Sequence, residues 1–430
     1  MTKKQKISVA WLRRDLRVED NRTLFEAAGT GHPVLPLFIF DTDILDELEV
    51  DDHRITFIFD RLEIINSEFR KSGGALYVVK GKPAEVFKIL TDKYDVQSVH
   101  AARDYEPYAK SRDEGIAHYL SSENIQFRGH KDQVIFEKNE ILKKDQTPYT
   151  VFTPYKNRWL DLFRAQDLGN YDLNYEDIKF AGTDAVFPTL RSLGFKRSAL
   201  NVEAFDINDL DDYEKARNYP AVDGTSKLSP HLRFGTVSIR QIVKKIKSNP
   251  VFLSELIWRE FFMHILYHFP KVVDNNFREK YDGINWRNDD SEFKLWCTGM
   301  TGYPLVDAGM RQLNQTGYMH NRVRMVVASF LCKHLLIDWK WGEAYFAKKL
   351  FDYELSSNNG NWQWAAGTGC DAAPYFRIFN PEEQLKKFDP DKLYVRKWIP
   401  ESDSEQYPLP MVDHKEARER ALAVYKAGLG

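Results

Sequence analysis

The hydrophobic pattern divides the chain. Early on, short apolar runs of strand length occur at KISVAW (6–11), VLPLFIF (34–40) and ALYVV (75–79), with a weaker one at 98–101. Between them lie stretches of helical spacing at 54–71 and 84–94. Strands alternating with helices predict an α/β N-terminal domain built on a doubly wound parallel sheet. Ligands of such sheets sit beyond the carboxyl ends of the strands, and residues 15–21 follow the first strand at such an end. From 129 to 195 the periodicity decays, and Pro148, Pro154 and Pro188 punctuate it, so it reads as a long surface linker. Beyond residue 201 apolar residues recur at i, i+3, i+4 over 237–246, 253–267, 305–313 and 320–336, and a last helix is expected at 415–427. The expected organisation is an α/β domain over 1–130, an interdomain linker over 131–200 and an all-α C-terminal domain over 201–430.

Composition narrows the class. Of 430 residues 43% are hydrophobic and 29% charged, ordinary for a globular protein. The 10 Trp, 21 Tyr and 28 Phe fit either a large aromatic core or stacking surfaces for flat ligands. A net charge of −2 does not announce nucleic-acid binding. Between 217 and 259, however, eight basic residues face only Asp223 and Glu255, which is either a solvated face or a local anion-binding patch. Cys297, Cys332 and Cys370 are far apart and form no disulfide framework. With no signal peptide and no apolar run of about 18 residues, a cytoplasmic protein outside any membrane is expected. The histidines show no metal-binding spacing, and no metal is expected. GTGCDA (367–372) imitates a dinucleotide fingerprint but follows no β-branched strand, so it is rejected.

Four constellations could carry chemistry. DGTSKLSP (223–230) offers hydroxyls and backbone N–H groups before a helix start, suiting either an anion or a simple capped turn. In ELIWREFF (255–262), Glu255, Trp258, Arg259 and Phe262 share one helical face. That face is either a wall for a flat polar ligand or a surface Glu255–Arg259 pair. In MHNRVRM (319–325), Asn321 and Arg324 face one way, and Arg324 could pair with Asp352 beside Glu354. Unrelated surface charge is the plain alternative. Trp286, Trp339, Trp362 and Trp364 are core residues by default.

Together with WLRRDLR (11–17), TGYP (301–304), HNRVR (320–324), NNGNWQW (358–364) and APYFRIFNP (373–381), these segments resemble the photolyase/cryptochrome family over nearly the whole chain. The resemblance implies an FAD-binding helical domain. Tyr213 and the loop of Thr225, Ser226, Lys227, Leu228 and Ser229 would hold phosphates and ribose. Arg259, Asn321, Arg324, Asp352 and Glu354 would line the rest of the cofactor, and Asn358 would face flavin N5. Trp362, Trp339 and Trp286 match the family's electron-transfer triad, outward from the flavin in that order. Glu255, Trp258 and Trp364 match a pocket for a flipped pyrimidine pair. Arg217, Phe262, Arg322, Arg377 and Gln384, with Asn321, match DNA contacts.

The implied activity is light-driven repair of cyclobutane pyrimidine dimers by a monomer. A blue-light receptor and repair of (6-4) photoproducts are the alternatives. Asn, where receptors carry Asp or Cys, favours repair; Asn321 and Met325, where the (6-4) branch usually has His, favour cyclobutane dimers. YEPYA (105–109) and Met300 depart from folate-binding relatives, which argues against a methenyltetrahydrofolate antenna. A deazaflavin, another flavin or no antenna stay open.

Overall fold

The structure is a computed structural model, and it describes residues 4–164, 168–183 and 186–429. The chain forms two compact units that do not follow chain order. The first comprises residues 1–137, 164–203 and 228–248; the second comprises 138–163, 204–227 and 249–430.

The first unit is built on five parallel strands, β1 (Lys6–Leu12), β2 (Val34–Asp41), β3 (Tyr77–Gly81), β4 (Asp95–Ala102) and β5 (Gln126–His130), in the order β3-β2-β1-β4-β5. Alternation along β1 explains the double winding. Ile7, Val9 and Trp11 enter one core with Leu35, Leu37, Val86, Phe87, Ile116 and Leu120. Ala10 and Leu12 enter the other, with Phe38, Phe40, Phe59 and Leu62. Periodicity passed over β5 because only His130 of its five residues is buried. It also passed over the helix Pro107–Ser122, of which only Ala109, Ile116 and Leu120 are buried.

The segment after β1, expected at a ligand-binding end, is consumed by the fold. Asp15 is fully buried and accepts from the Arg13 N–H and the Thr23 hydroxyl, both at 2.7 Å. Burial and the neighbouring Asp132 push its pKa up. The Arg17 guanidinium reaches both oxygens of Asp132 at 2.8 Å. Arg240 bridges Asp20 and Asp132, each at 2.9 Å. These buried pairs tie the helix Ile239–Ile246 to the sheet. Gly235 (φ +64°) lets the preceding turn approach, since a Cβ there would lie 1.9 Å from the Arg14 carbonyl oxygen.

The stretch read as linker contains a helix, Phe152–Phe163, that counts with the second unit. Pro154 sits in its first turn, where a missing N–H costs nothing. In the second unit the helix Leu355–Ala366 is central: Pro250–His268, Asn321–Ser329 and Trp339–Lys349 all pack on it. The expected helix over 320–336 is α-helical to Ser329, makes a π turn at Phe330–His334 and ends with Leu336 at φ +50°.

Candidate cofactor and DNA site

The second unit assembles the constellations around its central helix. Asn249 caps the helix Pro250–His268 by accepting from the Phe252 N–H at 2.9 Å. On this helix Glu255 does not pair with Arg259. Arg217 donates to Glu255 at 2.6 Å, and Arg259 donates to the buried Glu354 at 3.0 Å. The two charges therefore bind neighbouring segments, which disposes of a simple i, i+4 surface pair.

Trp258 is partly exposed, and Phe152 covers one of its faces, with centroids 3.6 Å apart and planes 8° off parallel. Sequence reasoning missed Phe152 because it is far away in the apparent linker. Phe262, grouped with the DNA-facing residues by resemblance, is buried: its ring packs beside Trp258 and Phe261 and directly over Gly360. It supports the wall rather than forming its surface. A Cβ on Gly360 would lie 2.1 Å from that ring.

The central helix carries an unusual load of buried polar groups. Asn359 and Gln363 donate to the Val272 carbonyl at 2.8 and 3.0 Å, which fixes the helix in place. Asn358 spends its amide N–H groups on Glu343, reaching the backbone oxygen at 3.1 Å and Oε1 at 2.8 Å. Its own oxygen is thereby turned away from Glu343. Burial pushes the Glu343 carboxyl pKa up, against the pull of that hydrogen bond. Nothing in the sequence pattern marked Glu343, fifteen residues upstream on another helix.

The Arg324–Asp352 pair is formed with both carboxylate oxygens, at 2.9 and 3.2 Å, and Arg324 also donates to the Met319 carbonyl at 2.7 Å. Tyr213 packs edge-on to Phe252, and burial pushes its pKa up to about 12. Thr225 lies 3.4 Å from the Tyr318 hydroxyl. Lys227 adopts φ +55° and pairs with Asp223. Leu228 and Ser229 of the same loop count with the first unit, and Ser229 opens the helix Ser229–Phe234.

Cations gather beside this wall. Burial lowers the Arg322 pKa, and the like charges of Arg217 and Arg377 add to it. Arg322 donates to Asn218 at 2.7 Å and lies over the Phe388 ring. Arg377 is exposed, as is Asn321 at the start of its helix. Gln384 lies in the helix Pro381–Phe388, where its Oε1 is buried without a partner among the described residues. Arg217 and Arg377 thus both act on Arg322 as like charges, while Glu255 and Glu214 act on Arg217 as counter-charges.

Trp362 and Trp339 are buried in one aromatic core, with Trp286 and Trp364 packed on its edge. Trp362 meets Phe346 and Trp296 edge-on, at 5.0 and 6.1 Å. The Trp339 indole donates to Asn276 at 2.9 Å, and Trp286 stands edge-on to Tyr425.

Comparison with known proteins resolves what this arrangement belongs to. Residues 8–171 match the DNA photolyase family model, and residues 252–404 match the model of the FAD binding domain of DNA photolyase. The chain is 36% identical to a deoxyribodipyrimidine photo-lyase of Vibrio cholerae, over 98% of this chain and 100% of that one. It belongs to the photolyase/cryptochrome family. The photo-lyase of Escherichia coli is 34% identical, over 97% of this chain and 98% of that one.

Among solved photolyases, a bacterial class III enzyme from Agrobacterium tumefaciens superposes with a TM-score of 0.88 at 34% identity, covering 100% of this chain and 98% of that one. An archaeal photolyase from Sulfolobus tokodaii, described with two FAD molecules, gives 0.87 at 33%, covering 98% and 100%. A Synechocystis cryptochrome gives 0.86 at 26%, covering 99% and 100%.

The residues present fit the FAD that this photolyase domain binds. Two guanidinium–carboxylate pairs, an oriented primary amide and a phenol beside a threonine surround the central helix, all suited to a flat polar ligand with phosphates. Ser356, two residues before Asn358, buries an Oγ with no partner among the described residues, as expected where a bound group completes the hydrogen bonding. Among the described residues no cluster of metal-ligating side chains occurs, and no helix is long and apolar enough to cross a membrane.

Proposed function

We propose that this photolyase-family enzyme repairs cyclobutane pyrimidine dimers in DNA, driven by light. The observation that carries the reading is the wall of Glu255 and Trp258 beside the clustered Arg217, Arg322 and Arg377. The arginines take backbone phosphates, which gives affinity and register without base readout. The dimer leaves the stack, at a cost of a few kcal/mol that is smaller for a poorly paired lesion. Trp258, backed by Phe152, offers one flat face to its rings, and Trp364 flanks it. The Glu255 carboxylate accepts hydrogen bonds from the ring N–H groups. When bound in its reduced form, FAD supplies the electron that splits the cyclobutane ring after light absorption, and recovers it afterwards. Arg259, Asn321, Arg324, Asp352 and Glu354, with Thr225, Ser226 and Lys227, hold the cofactor. Asn358, committed to Glu343 through its N–H groups, presents its oxygen. Trp286, Trp339 and Trp362 would relay electrons inward from an external reductant, such as a thiol in solution, to a cofactor bound in its oxidised form.

A receptor role is the second reading, favoured by the likeness to the cryptochrome fold. Purified protein is illuminated with an oligonucleotide carrying one thymine dimer under reducing conditions. Loss of the dimer supports repair. Photoreduction without loss of the dimer refutes it in favour of a receptor, and loss of a (6-4) lesion alone reassigns the substrate.

A further inference from the structure

Lys333 is 1% exposed, inside the π turn Phe330–His334. Its neighbours Phe330, Leu331, Cys332 and Leu335 all belong to the aromatic core. Among the described residues no carboxylate pairs with it, and its ammonium meets one acceptor, the Arg377 carbonyl, at 2.9 Å. A buried cation without a counter-charge is costly, and an apolar side chain of similar length would fill the same space at no such cost. Burial pushes its pKa down to about 8, and the nearby Arg377 guanidinium works in the same direction. A lysine at this position therefore costs stability.

Its one contact suggests the reason. Arg377 lies in an irregular loop that leaves the central helix at Gly367 (φ +93°). Within the loop the Arg377 N–H bonds the Pro374 carbonyl and the Ile378 N–H bonds the Phe376 carbonyl. Tyr375 stacks on Tyr425 with planes 6° apart. The loop is held from beneath, while Phe376 and the Arg377 side chain stay exposed.

We infer that Lys333 is a positioning residue for DNA: its buried ammonium clamps the Arg377 peptide so that the guanidinium stands with Arg322 and Arg217 toward a backbone phosphate. This rests on the repair reading above and adds the residue that aims its phosphate contact.

The test is a double-mutant cycle on the flavin-loaded enzyme. Dissociation constants are measured in the dark for a duplex with one thymine dimer and for the same duplex undamaged. Lys333→Met and Arg377→Ala should each weaken binding about tenfold, the factor for one lost charge-assisted hydrogen bond. The double variant should be no weaker than Arg377→Ala alone, because Lys333 acts through Arg377. Flavin content should match the parent enzyme, which separates a lost DNA contact from a lost fold. Unchanged affinity in Lys333→Met, or losses that multiply to about a hundredfold, overturn the inference. If Lys333→Met loses its flavin, Lys333→Arg, which keeps donor and charge, decides: parental affinity supports the clamp and weakened affinity refutes it. Equal affinity of the parent for both duplexes would count against the repair reading, while the cycle on undamaged DNA still reports on Lys333.

Discussion

Gly342 lies one turn after Trp339 on the helix Trp339–Lys349. A Cβ added there would come within 2.1 Å of Trp362 Cη2, 2.4 Å of its Cζ3 and 2.6 Å of Leu331 Cδ2. Carbon atoms settle at about 3.5–4.0 Å, so the Trp362 indole would have to retreat by roughly 1.5 Å. That ring is 2% exposed and packed against Phe346 and Trp296, so it has little room to do so. Overpacking of this kind costs about 1–3 kcal/mol, partly offset by about 1 kcal/mol gained on replacing a helical glycine with alanine. Gly115, on the exposed side of Pro107–Ser122, supplies the control, because a Cβ there meets nothing within 4 Å. Gly115→Ala should therefore stabilise by about 1 kcal/mol, and Gly342→Ala should fall below it by about 1–3 kcal/mol in denaturant unfolding. Gly342→Ala should also slow photoreduction of the flavin, since it displaces Trp362 from the helix bearing Trp339. Equal stability of the two variants with parental photoreduction would refute the packing argument.

Three further outcomes are expected. Trp258→Ala should weaken binding of dimer-containing DNA by about 1–3 kcal/mol through lost stacking; an unchanged dissociation constant would remove Trp258 from the pocket. Glu343→Gln keeps an acceptor for Asn358 and should leave the flavin absorption spectrum under reductant unaltered, whereas Glu343→Leu should change it; identical spectra would deny Glu343 its orienting role. His100 and His130 stack and share a 3.0 Å hydrogen bond, and burial pushes both pKa values down to about 4. Unfolded imidazoles take up protons near 6.5, so stability should fall as pH drops from about 6.5 to 4, by at most about 3 kcal/mol per histidine. Urea unfolding at several pH values measures this, and His130→Asn should flatten the slope; a flat parental profile would contradict it.

The sequence made the strongly periodic elements legible. β1 and β2 were marked by continuous apolar runs because both faces of a doubly wound sheet are buried. β5, at the sheet edge, has no such signature. Charged residues were legible as members of a site but not by partner. Arg324 does meet Asp352, yet Glu255 chose Arg217 over the neighbour one turn away, a choice made by tertiary approach rather than helical spacing. Phe152, Glu343 and Lys333 escaped notice for the same reason: each acquires its role through a residue distant in sequence. The Asp15–Asn21 segment does follow the carboxyl end of β1, but the sequence did not show that its buried polar side chains bond within the segment and to residues 132 and 240.

The bridge from Arg240 to Asp20 and Asp132 has a consequence for how the protein is made and remade. The sheet is translated early, but the guanidinium that bridges Asp20 and Asp132 emerges only after the ribosome has passed two stretches destined for the other unit. Arg17 cannot stand in for it at both: it reaches the Asp132 carboxylate but only the backbone carbonyl of Asp20. A single junction near residue 130 or 200 in a chimaera divides the three members of this bridge between two parents. An exchange of the first unit as a whole therefore has to carry three separate stretches of chain at once.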